Sequence, residues 1–227
     1  NSLTGNKTSG SSSGGGSGKT PSLPNVAGIE NSGNTASNTV TGDKEINVNI
    51  FDDIEDVSWA KSAIIYLAEQ GIIAGKSEKT FAPNDNVKRE ELAKILVGAF
   101  LEDAAEGEIS FTDVNLSAWY APYIKKAYAQ GIINGYDEAT FGVGDNVTRE
   151  DMAVMIYNTA KKAGMAFETK EFELFSDDSE ISDYAKEAVY TLRNAGVING
   201  VNRSAFAPKA PATRAQAAKI IYSLLKF

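Results

Sequence analysis

Three arginines are the residues of this chain best suited to bind a charged ligand. Each is expected at about the first position of a helix: Arg89, Arg149 and Arg214. A cation there is disfavoured by the helix macrodipole by about 0.3–1 kcal/mol, so some interaction must offset it. One explanation is an anion site, because a guanidinium beside free helix N–H groups can bind a carboxylate or phosphate. The alternative is a structural ion pair, for example with a nearby aspartate, and the sequence leaves both explanations open.

An aromatic residue, an aspartate and a glycine accompany each arginine. The aromatics are expected to open a helix, where they usually belong to the core, although beside an arginine they could pack on a sugar ring: Trp59, Trp119 and Tyr184. The aspartates could cap that helix (the default), orient the arginine or accept from sugar hydroxyls: Asp53, Asp113 and Asp177. The glycines either form simple turns, which is favoured, or admit a ligand close to the backbone: Gly75, Gly135 and Gly200.

The composition excludes several kinds of chemistry. The 227 residues include no His and no Cys, which removes Ser-His triads, thiol nucleophiles and zinc-thiolate sites. The formal net charge of −8 disfavours binding to nucleic-acid phosphates. No apolar run approaches the roughly 18 residues of a membrane span, and no EF-hand loop, Gly-rich phosphate loop or nucleophile elbow is present. We therefore predict a protein that is not an enzyme and that uses no metal or cofactor.

The candidate residues recur because the sequence repeats itself three times from Phe51 onward. Each unit opens with Phe-x-Asp, continues to the aromatic residue, passes two glycines and reaches the arginine. The aromatic residue and the arginine are 30 residues apart in every unit. Repeats of this length usually stack as supersecondary units that share one core.

Each unit is predicted to contain two helices joined by a loop. The first helix runs from the aromatic residue to the first glycine, because its apolar positions form one stripe at helical spacing. The glycine that follows fits a left-handed residue at the helix C-terminus: Gly71, Gly131 and Gly196.

The second helix of each unit begins at the arginine. Thr213 and Gln216 match a capping box at the third of these helices, and Thr148 approximates one at the second. Lys88 cannot accept the capping hydrogen bond, so the first of these helices should start less stably by about 1 kcal/mol unless Asn86 substitutes.

The N-terminal segment has a different character. Residues 1–42 contain 30 Gly, Ser, Thr or Asn residues, too few apolar groups to offset the entropy of ordering the chain. We predict a flexible linker over 1–45, with an end-to-end distance of about 35 Å if it behaves as a Gly-rich coil. Because the sequence starts at Asn1 rather than Met, we expect a processed chain or a fragment.

The three units resemble the S-layer homology (SLH) family. The resemblance rests on the Phe-x-Asp opening, the Trp-Ala-Lys-x-Ala-Ile-x-Tyr-Leu-Ala-Glu-x-Gly-Ile run at 59–72 and the Gly-to-Phe-x-Pro loop. It also rests on Thr-Arg-Ala-Gln at 213–216 and Thr-Arg-Glu-Asp at 148–151. The resemblance covers about residues 49–227, in motifs at 49–102, 109–163 and 173–227.

The resemblance implies an all-α fold, in which three tandem helix-loop-helix repeats form a pseudo-threefold spindle around a central helix bundle. It also implies grooves between the motifs that bind secondary cell-wall polysaccharide, often through a pyruvylated amino sugar, and so fix the protein to the bacterial cell surface. The arginines, aromatics, aspartates and second glycines named above are then the expected ligand-binding residues.

Three departures from the family pattern predict unequal sites. Lys88 stands in place of the signature threonine, and Tyr184 in place of tryptophan. The Gly-Val-Gly sequence at 142–144 replaces the Ala-Pro of the other two loops, so the second loop is expected to be more mobile.

Two functions remain open at this point. The first is a cell-wall anchor, the C-terminal module of a larger surface protein. The second is a protein–protein or self-assembly module of an S-layer without direct glycan binding. The expected partners are the polysaccharide, peptidoglycan or neighbouring S-layer proteins, with no nucleic acid and no membrane span.

Overall fold

The computed structural model describes residues 50–168, 173–202 and 204–227. They form six α-helices: α1 (Ser58–Glu69), α2 (Arg89–Phe100), α3 (Ala121–Ala129), α4 (Arg149–Lys162), α5 (Asp183–Asn194) and α6 (Arg214–Leu225). Short 3-10 turns precede α1 and α5 at Glu55–Val57 and Asp178–Glu180. Within the described ranges the only β pairing is three isolated antiparallel bridges, so the all-α prediction is confirmed. None of the described helices is long and apolar enough to cross a membrane. The predicted linker 1–45 lies outside the described residues.

The outer helices α1, α3 and α5 end at the predicted glycines. The backbone angle φ is 70°, 70° and 72° at Gly71, Gly131 and Gly196. At the end of α1 the amide of Gly71 donates to the carbonyl of Ala68 at 3.0 Å, and the amide of Ile72 donates to the carbonyl of Leu67 at 2.9 Å. This pair of bonds is the Schellman motif, which satisfies carbonyls that the helix leaves without partners. The same bonds close α3 and α5.

The inner helices α2, α4 and α6 all begin at the predicted arginine, but their caps differ. In α6 the Thr213 hydroxyl accepts from the amide of Gln216 at 3.3 Å, and the Gln216 side chain accepts from the amide of Thr213 at 3.2 Å. The Thr148 hydroxyl of α4 accepts from the amide three residues on, at 3.2 Å. Lys88 has no accepting oxygen, so α2 has only half of the box, from the amide of Lys88 to Glu91 Oε2 at 2.9 Å.

One helix start differs from the prediction. Trp59 lies in the first turn of α1 as expected, but Trp119 lies two residues before α3, which begins at Ala121. Pro122 has no N–H and cannot bond to the carbonyl of Ala118, so the helix cannot extend that far back. Trp119 therefore sits in a turn rather than on a helix.

The helices are arranged with pseudo-threefold symmetry. The inner helices contact one another in pairs at the centre. Each outer helix packs on the inner helix of the preceding repeat, α3 on α2 and α5 on α4, and α1 closes the ring by packing on α6. The predicted bundle is confirmed, and the first and last helices of the described residues contact each other.

Backbone hydrogen bonds form a closed cycle where the inner helices begin. The amide of Val87 donates to the carbonyl of Ala212 at 3.0 Å, Ala212 donates to Val147 at 2.9 Å, and Val147 donates back to Val87 at 3.0 Å. All three residues are buried, so each bond replaces hydration that folding removes. Because every repeat donates to one neighbour and accepts from the other, the cycle fixes the relative positions of the three inner helices.

We expect the ring to unfold as one unit. Leu67 on α1 is fully buried, so Leu67→Ala should lower the free energy of unfolding by about 2–5 kcal/mol. Because α1 closes on α6, denaturation should remain a single transition when followed by tryptophan fluorescence and by far-ultraviolet circular dichroism. The control Leu116→Ala, at an exposed position, should change the free energy by less than about 0.5 kcal/mol. Separate transitions by the two probes would show that the repeats do not unfold together.

Candidate functional site

Three equivalent grooves lie between the repeats, and each is built from all three. A groove takes its loop and its inner helix from one repeat, an arginine from the preceding repeat and an aromatic residue from the following one. We number the grooves by the repeat that supplies the loop. Groove 1 comprises loop 72–76, α2, Arg214 and Trp119; groove 2 comprises loop 132–136, α4, Arg89 and Tyr184; groove 3 comprises loop 197–201, α6, Arg149 and Trp59. Their volumes are about 290, 430 and 480 Å³ respectively.

Each arginine joins two repeats through its guanidinium. Arg149 is only 4% exposed; its Nε donates to the carbonyl of Phe206 at 2.8 Å and its Nη2 to the carbonyl of Asn199 at 3.2 Å. Its guanidinium carbon lies 4.9 Å from the centre of the Phe206 ring. Burial lowers the pKa of Arg149, yet a guanidinium stays charged in proteins. These bonds and the ring contact offset the unfavourable position of a cation at the helix start.

The other two arginines make the same contacts. Arg89 donates to the carbonyls of Phe141 and Asn134, each at 3.0 Å. Arg214 donates to the carbonyls of Phe81 and Ala74, at 3.0 and 2.7 Å. The arginines therefore have the structural role that the sequence suggested. They donate to backbone carbonyls of the next loop rather than to the opening aspartates.

The remaining guanidinium nitrogen, Nη1, distinguishes the grooves. In groove 2, Nη1 of Arg89 lies 3.6 Å from Asp151 Oδ2. Among the described residues, Nη1 of Arg149 and Nη1 of Arg214 have no hydrogen-bond or ion-pair partner. Grooves 1 and 3 can therefore offer a charged donor to an incoming anion.

The opening aspartates hold the same loops from the opposite side. The carboxylate of Asp53 accepts from the amides of Phe81 and Ala82 at 2.8 and 2.7 Å, while Arg214 binds the carbonyl of Phe81. Asp113 and Asp177 hold 141–143 and 206–207 in the same way. The default expectation that these aspartates cap the first helices is wrong, because α1, α3 and α5 begin without a side-chain cap.

The loop of the second repeat gains one bond from its unusual sequence. Asp113 accepts from the amides of Phe141, Gly142 and Val143 at 2.8, 2.7 and 3.0 Å; the other loops have a proline, without an amide hydrogen, in place of Val143. Partial burial opposes the ionisation of Asp113, but its bonds to backbone amides outweigh burial and lower the pKa of this carboxyl. The greater mobility expected for this loop stays a prediction.

The second glycines are required by the packing of the loops themselves. A Cβ at Gly75 would lie 2.5 Å from the ring of Phe51 and would overlap the carbonyl of Ser77. Gly135 meets Phe111 in the same way, and a Cβ at Gly200 would overlap a loop carbonyl. The contacts favour the turn interpretation, although these glycines also line the grooves.

The aromatic residues stand at the edges of the grooves with much of their surface exposed: 51% for Trp59, 54% for Trp119 and 60% for Tyr184. The ammonium of Lys94 lies 5.6 Å from the centre of the Trp119 ring. The Tyr184 hydroxyl donates to Asp151 Oδ1 at 2.8 Å and also lies 3.2 Å from Glu150 Oε1. Exposed rings of this kind can pack on the apolar face of a ligand.

Sequence reasoning missed the side chains that the inner helices present to the grooves. In α4 they are Asp151, Val154, Met155 and Asn158, and α2 and α6 contribute the corresponding positions, including Glu91 and Lys94 or Gln216 and Lys219. Their spacing of three, four and seven residues marks one helix face. This spacing can be recognised in the sequence, but it does not show that the helix face borders an arginine from another repeat.

Comparison with known proteins decides the family. The sequence profile of the S-layer homology domain matches residues 50–93, 110–153 and 174–218, one match for each repeat. The chain belongs to the S-layer homology family.

Two similar relatives have the names of enzymes and a third that of an anchoring protein. The SLH repeats are 38% identical over 182 residues to an exoglucanase, XynX, of Acetivibrio thermocellus, covering 78% of this chain and 16% of the relative. They are 37% identical over 182 residues to an amylopullulanase of Thermoanaerobacterium thermosulfurigenes, covering 78% of this chain and 9% of the relative. A cellulosome-anchoring protein of A. thermocellus is 30% identical over 145 residues, covering 62% of this chain and 32% of the relative. The chain thus spans less than a third of the length of each of these relatives.

The family membership establishes the coarse function. SLH repeats are cell-wall anchoring modules, and the chain is a cell-surface protein of this kind. The similarity to proteins with enzyme names lies in these repeats.

The stability that Asp113 gives to the loop of the second repeat should depend on pH. Asp113→Asn retains one accepting oxygen but turns N–H donors toward loop amides, so it should lower the free energy of unfolding at pH 7 by about 1–3 kcal/mol. An unfolded Asp has a pKa of about 3.9, and folding lowers it, so the stabilisation is complete well above that value. It is lost as the pH falls through the folded pKa, and the difference between wild type and variant should shrink toward acid in urea titrations.

The exposed Glu138→Gln supplies the control, with little effect at any pH. A difference between wild type and Asp113→Asn that stays constant down to pH 3 would contradict the role of the ionised carboxylate.

Proposed function

We propose that this chain is a non-catalytic anchor that binds secondary cell-wall polysaccharide in its inter-repeat grooves, with a pyruvylated amino sugar as the recognised unit. The observation that carries the proposal is groove 3. There the buried Arg149 retains a guanidinium nitrogen without a partner among the described residues, in the cavity that Trp59 also lines.

The chemistry of such a sugar matches the two kinds of surface in the groove. A ketal-linked pyruvate carries a carboxylate, which accepts a charge-assisted hydrogen bond from a guanidinium. Because Arg149 is largely removed from water, its attraction to an anion is screened less than that of an exposed side chain. The C–H face of the sugar ring can then lie against the exposed aromatic face.

Local charge explains how an acidic chain binds an acidic polymer. The formal net charge is −8, which repels a polyanion at long range. The arginines are fixed at the grooves by their carbonyl bonds, so the attraction acts at short range. We assign ligand contact to the arginines and aromatics of grooves 1 and 3, whereas the aspartates and second glycines act by holding the loops in shape.

The relatives suggest what the anchor carries. The matched region forms only 9% of the amylopullulanase and 16% of the exoglucanase. Most of each relative therefore lies outside the region that is similar to this chain. We infer that this chain is likewise the anchoring part of a larger surface protein, in which any catalysis belongs to other domains.

Sedimentation with purified cell-wall sacculi tests the proposal. The chain should sediment with intact sacculi and remain in solution after the non-peptidoglycan polysaccharide has been removed chemically. Trp59→Ala should weaken binding about tenfold, as expected for truncation of a central contact residue, while Leu174→Ala, exposed and outside the grooves, should not. Higher ionic strength should weaken binding modestly, because the arginine is buried.

Each other outcome of this test contradicts the proposal in a different way. Binding that persists after removal of the polysaccharide would identify peptidoglycan as the ligand. The absence of binding to either form of sacculi would favour a self-assembly module that contacts neighbouring S-layer proteins.

A further inference from the structure

We infer that the third residue of each inner helix determines whether its groove accepts an acidic ligand. This residue is Glu91 in α2, Asp151 in α4 and Gln216 in α6, and each lines a groove together with the arginine of the preceding repeat. The inference deepens the proposed function and rests on it. It predicts groove 3 as the principal site, groove 1 as a weaker one and groove 2 as closed to anions.

Groove 2 already contains a carboxylate where the ligand's carboxylate would lie. Asp151 Oδ2 is 3.6 Å from Nη1 of Arg89, and Asp151 Oδ1 accepts from the Tyr184 hydroxyl at 2.8 Å. The ring of Tyr136 covers another face of the same guanidinium, at 4.5 Å from its carbon. An acidic sugar would have to displace Asp151 or approach it as a like charge. In this groove the charge of Arg89 is already paired with a carboxylate of the protein.

Groove 3 has the opposite charge balance. Gln216 is neutral, and its side-chain oxygen is used by the amide of Thr213. The charged side chains that line groove 3 in the described part of the chain are Arg149 and Lys219, both positive. Lys219 lies one helical turn beyond Gln216, on the same face. An anion entering this groove therefore meets two cations and, among the described residues that line it, no carboxylate.

Groove 1 is intermediate. Glu91 brings a carboxylate into the groove and contributes a favourable charge to Arg214. Its Oε2 also accepts from the amide of Lys88. Lys94 adds a positive charge but lies over the face of Trp119, where a sugar ring would pack. Lys76 also lines this groove, but its ammonium forms an ion pair with the carboxylate of Asp85. This groove is also the smallest of the three, at about 290 Å³.

A charge exchange between two equivalent positions tests the inference. Gln216→Glu places a carboxylate in groove 3 and keeps an oxygen for the capping bond, since Glu suits this position of a capping box. It should weaken binding at least tenfold. Asp151→Asn is the matched variant in groove 2 and should bind as tightly as wild type or more tightly. The double variant should recover part of the loss when binding is followed by sedimentation with sacculi, because Nη1 of Arg89 in groove 2 becomes available.

The probe is soluble wall polysaccharide released from sacculi, and the readout is tryptophan fluorescence. The chain has two tryptophans, so in a Trp119→Phe background the remaining signal comes from Trp59 in groove 3. Addition of the polysaccharide should change this signal, and Gln216→Glu should shift the titration to at least tenfold higher concentration. Lys219→Glu provides a second variant of groove 3 that leaves the cap untouched, and thermal unfolding of every variant separates a binding defect from loss of the fold.

The possible results distinguish this inference from the proposed function. If both groove 3 variants fold and bind as tightly as the wild type, the inference is overturned and the anchor proposal stands. The same holds if Asp151→Asn weakens binding as much as Gln216→Glu does. Failure of the wild-type chain to bind the polysaccharide at all would overturn the anchor proposal, and the inference would fall with it.

Discussion

The guanidinium at the start of each inner helix, buried in Arg89 and Arg149 and half-buried in Arg214, makes the contacts on which the other features of the fold depend. It binds two carbonyls of the next repeat's loop and lies against a phenylalanine of that loop, as Arg149 does with Phe206 and Asn199. Asp177 binds the amide of the same Phe206. One residue of the loop is therefore fixed through its amide by its own repeat and through its carbonyl by the preceding one. A loop without regular secondary structure gains a defined shape in this way, and its buried polar groups are satisfied.

This cross-linking is cyclic, which distinguishes the domain from an open stack of repeats. In a linear solenoid the first and last repeats each have an unpaired face. Here α1 packs on α6, Arg214 binds the loop of the first repeat, and the cycle through Val87, Ala212 and Val147 involves all three repeats. No repeat can leave without breaking contacts with both neighbours. The same closure makes each groove a product of three repeats.

The sequence predicted the repeat-level architecture well because its signals are local. The left-handed glycines at Gly71, Gly131 and Gly196 and the capping box at Thr213 are decided within a few residues. The prediction failed where a neighbouring proline or a contact distant in the sequence overrode the local signal. Pro122 moved the start of α3 past Trp119, and the opening aspartates bind amides 28 to 30 residues away instead of capping nearby helices. Which arginine faces which aromatic could not be predicted, because it depends on the order in which the repeats close.

The three repeats share a symmetric framework of arginines, aspartates, glycines and phenylalanines, whereas their grooves differ in charge. These two features have separate physical origins. The symmetric framework uses the residues that the repeats share, and among these each arginine binds a loop of the next repeat, so altering it would disturb two repeats at once. The third position of an inner helix is less restricted, since Glu91, Asp151 and Gln216 can all occupy it. It nevertheless lines the same groove as the arginine of the preceding repeat. A single substitution there can change the charge of one groove while the other two keep theirs. Repeats bound to a common core can therefore differ in ligand preference without any change of fold.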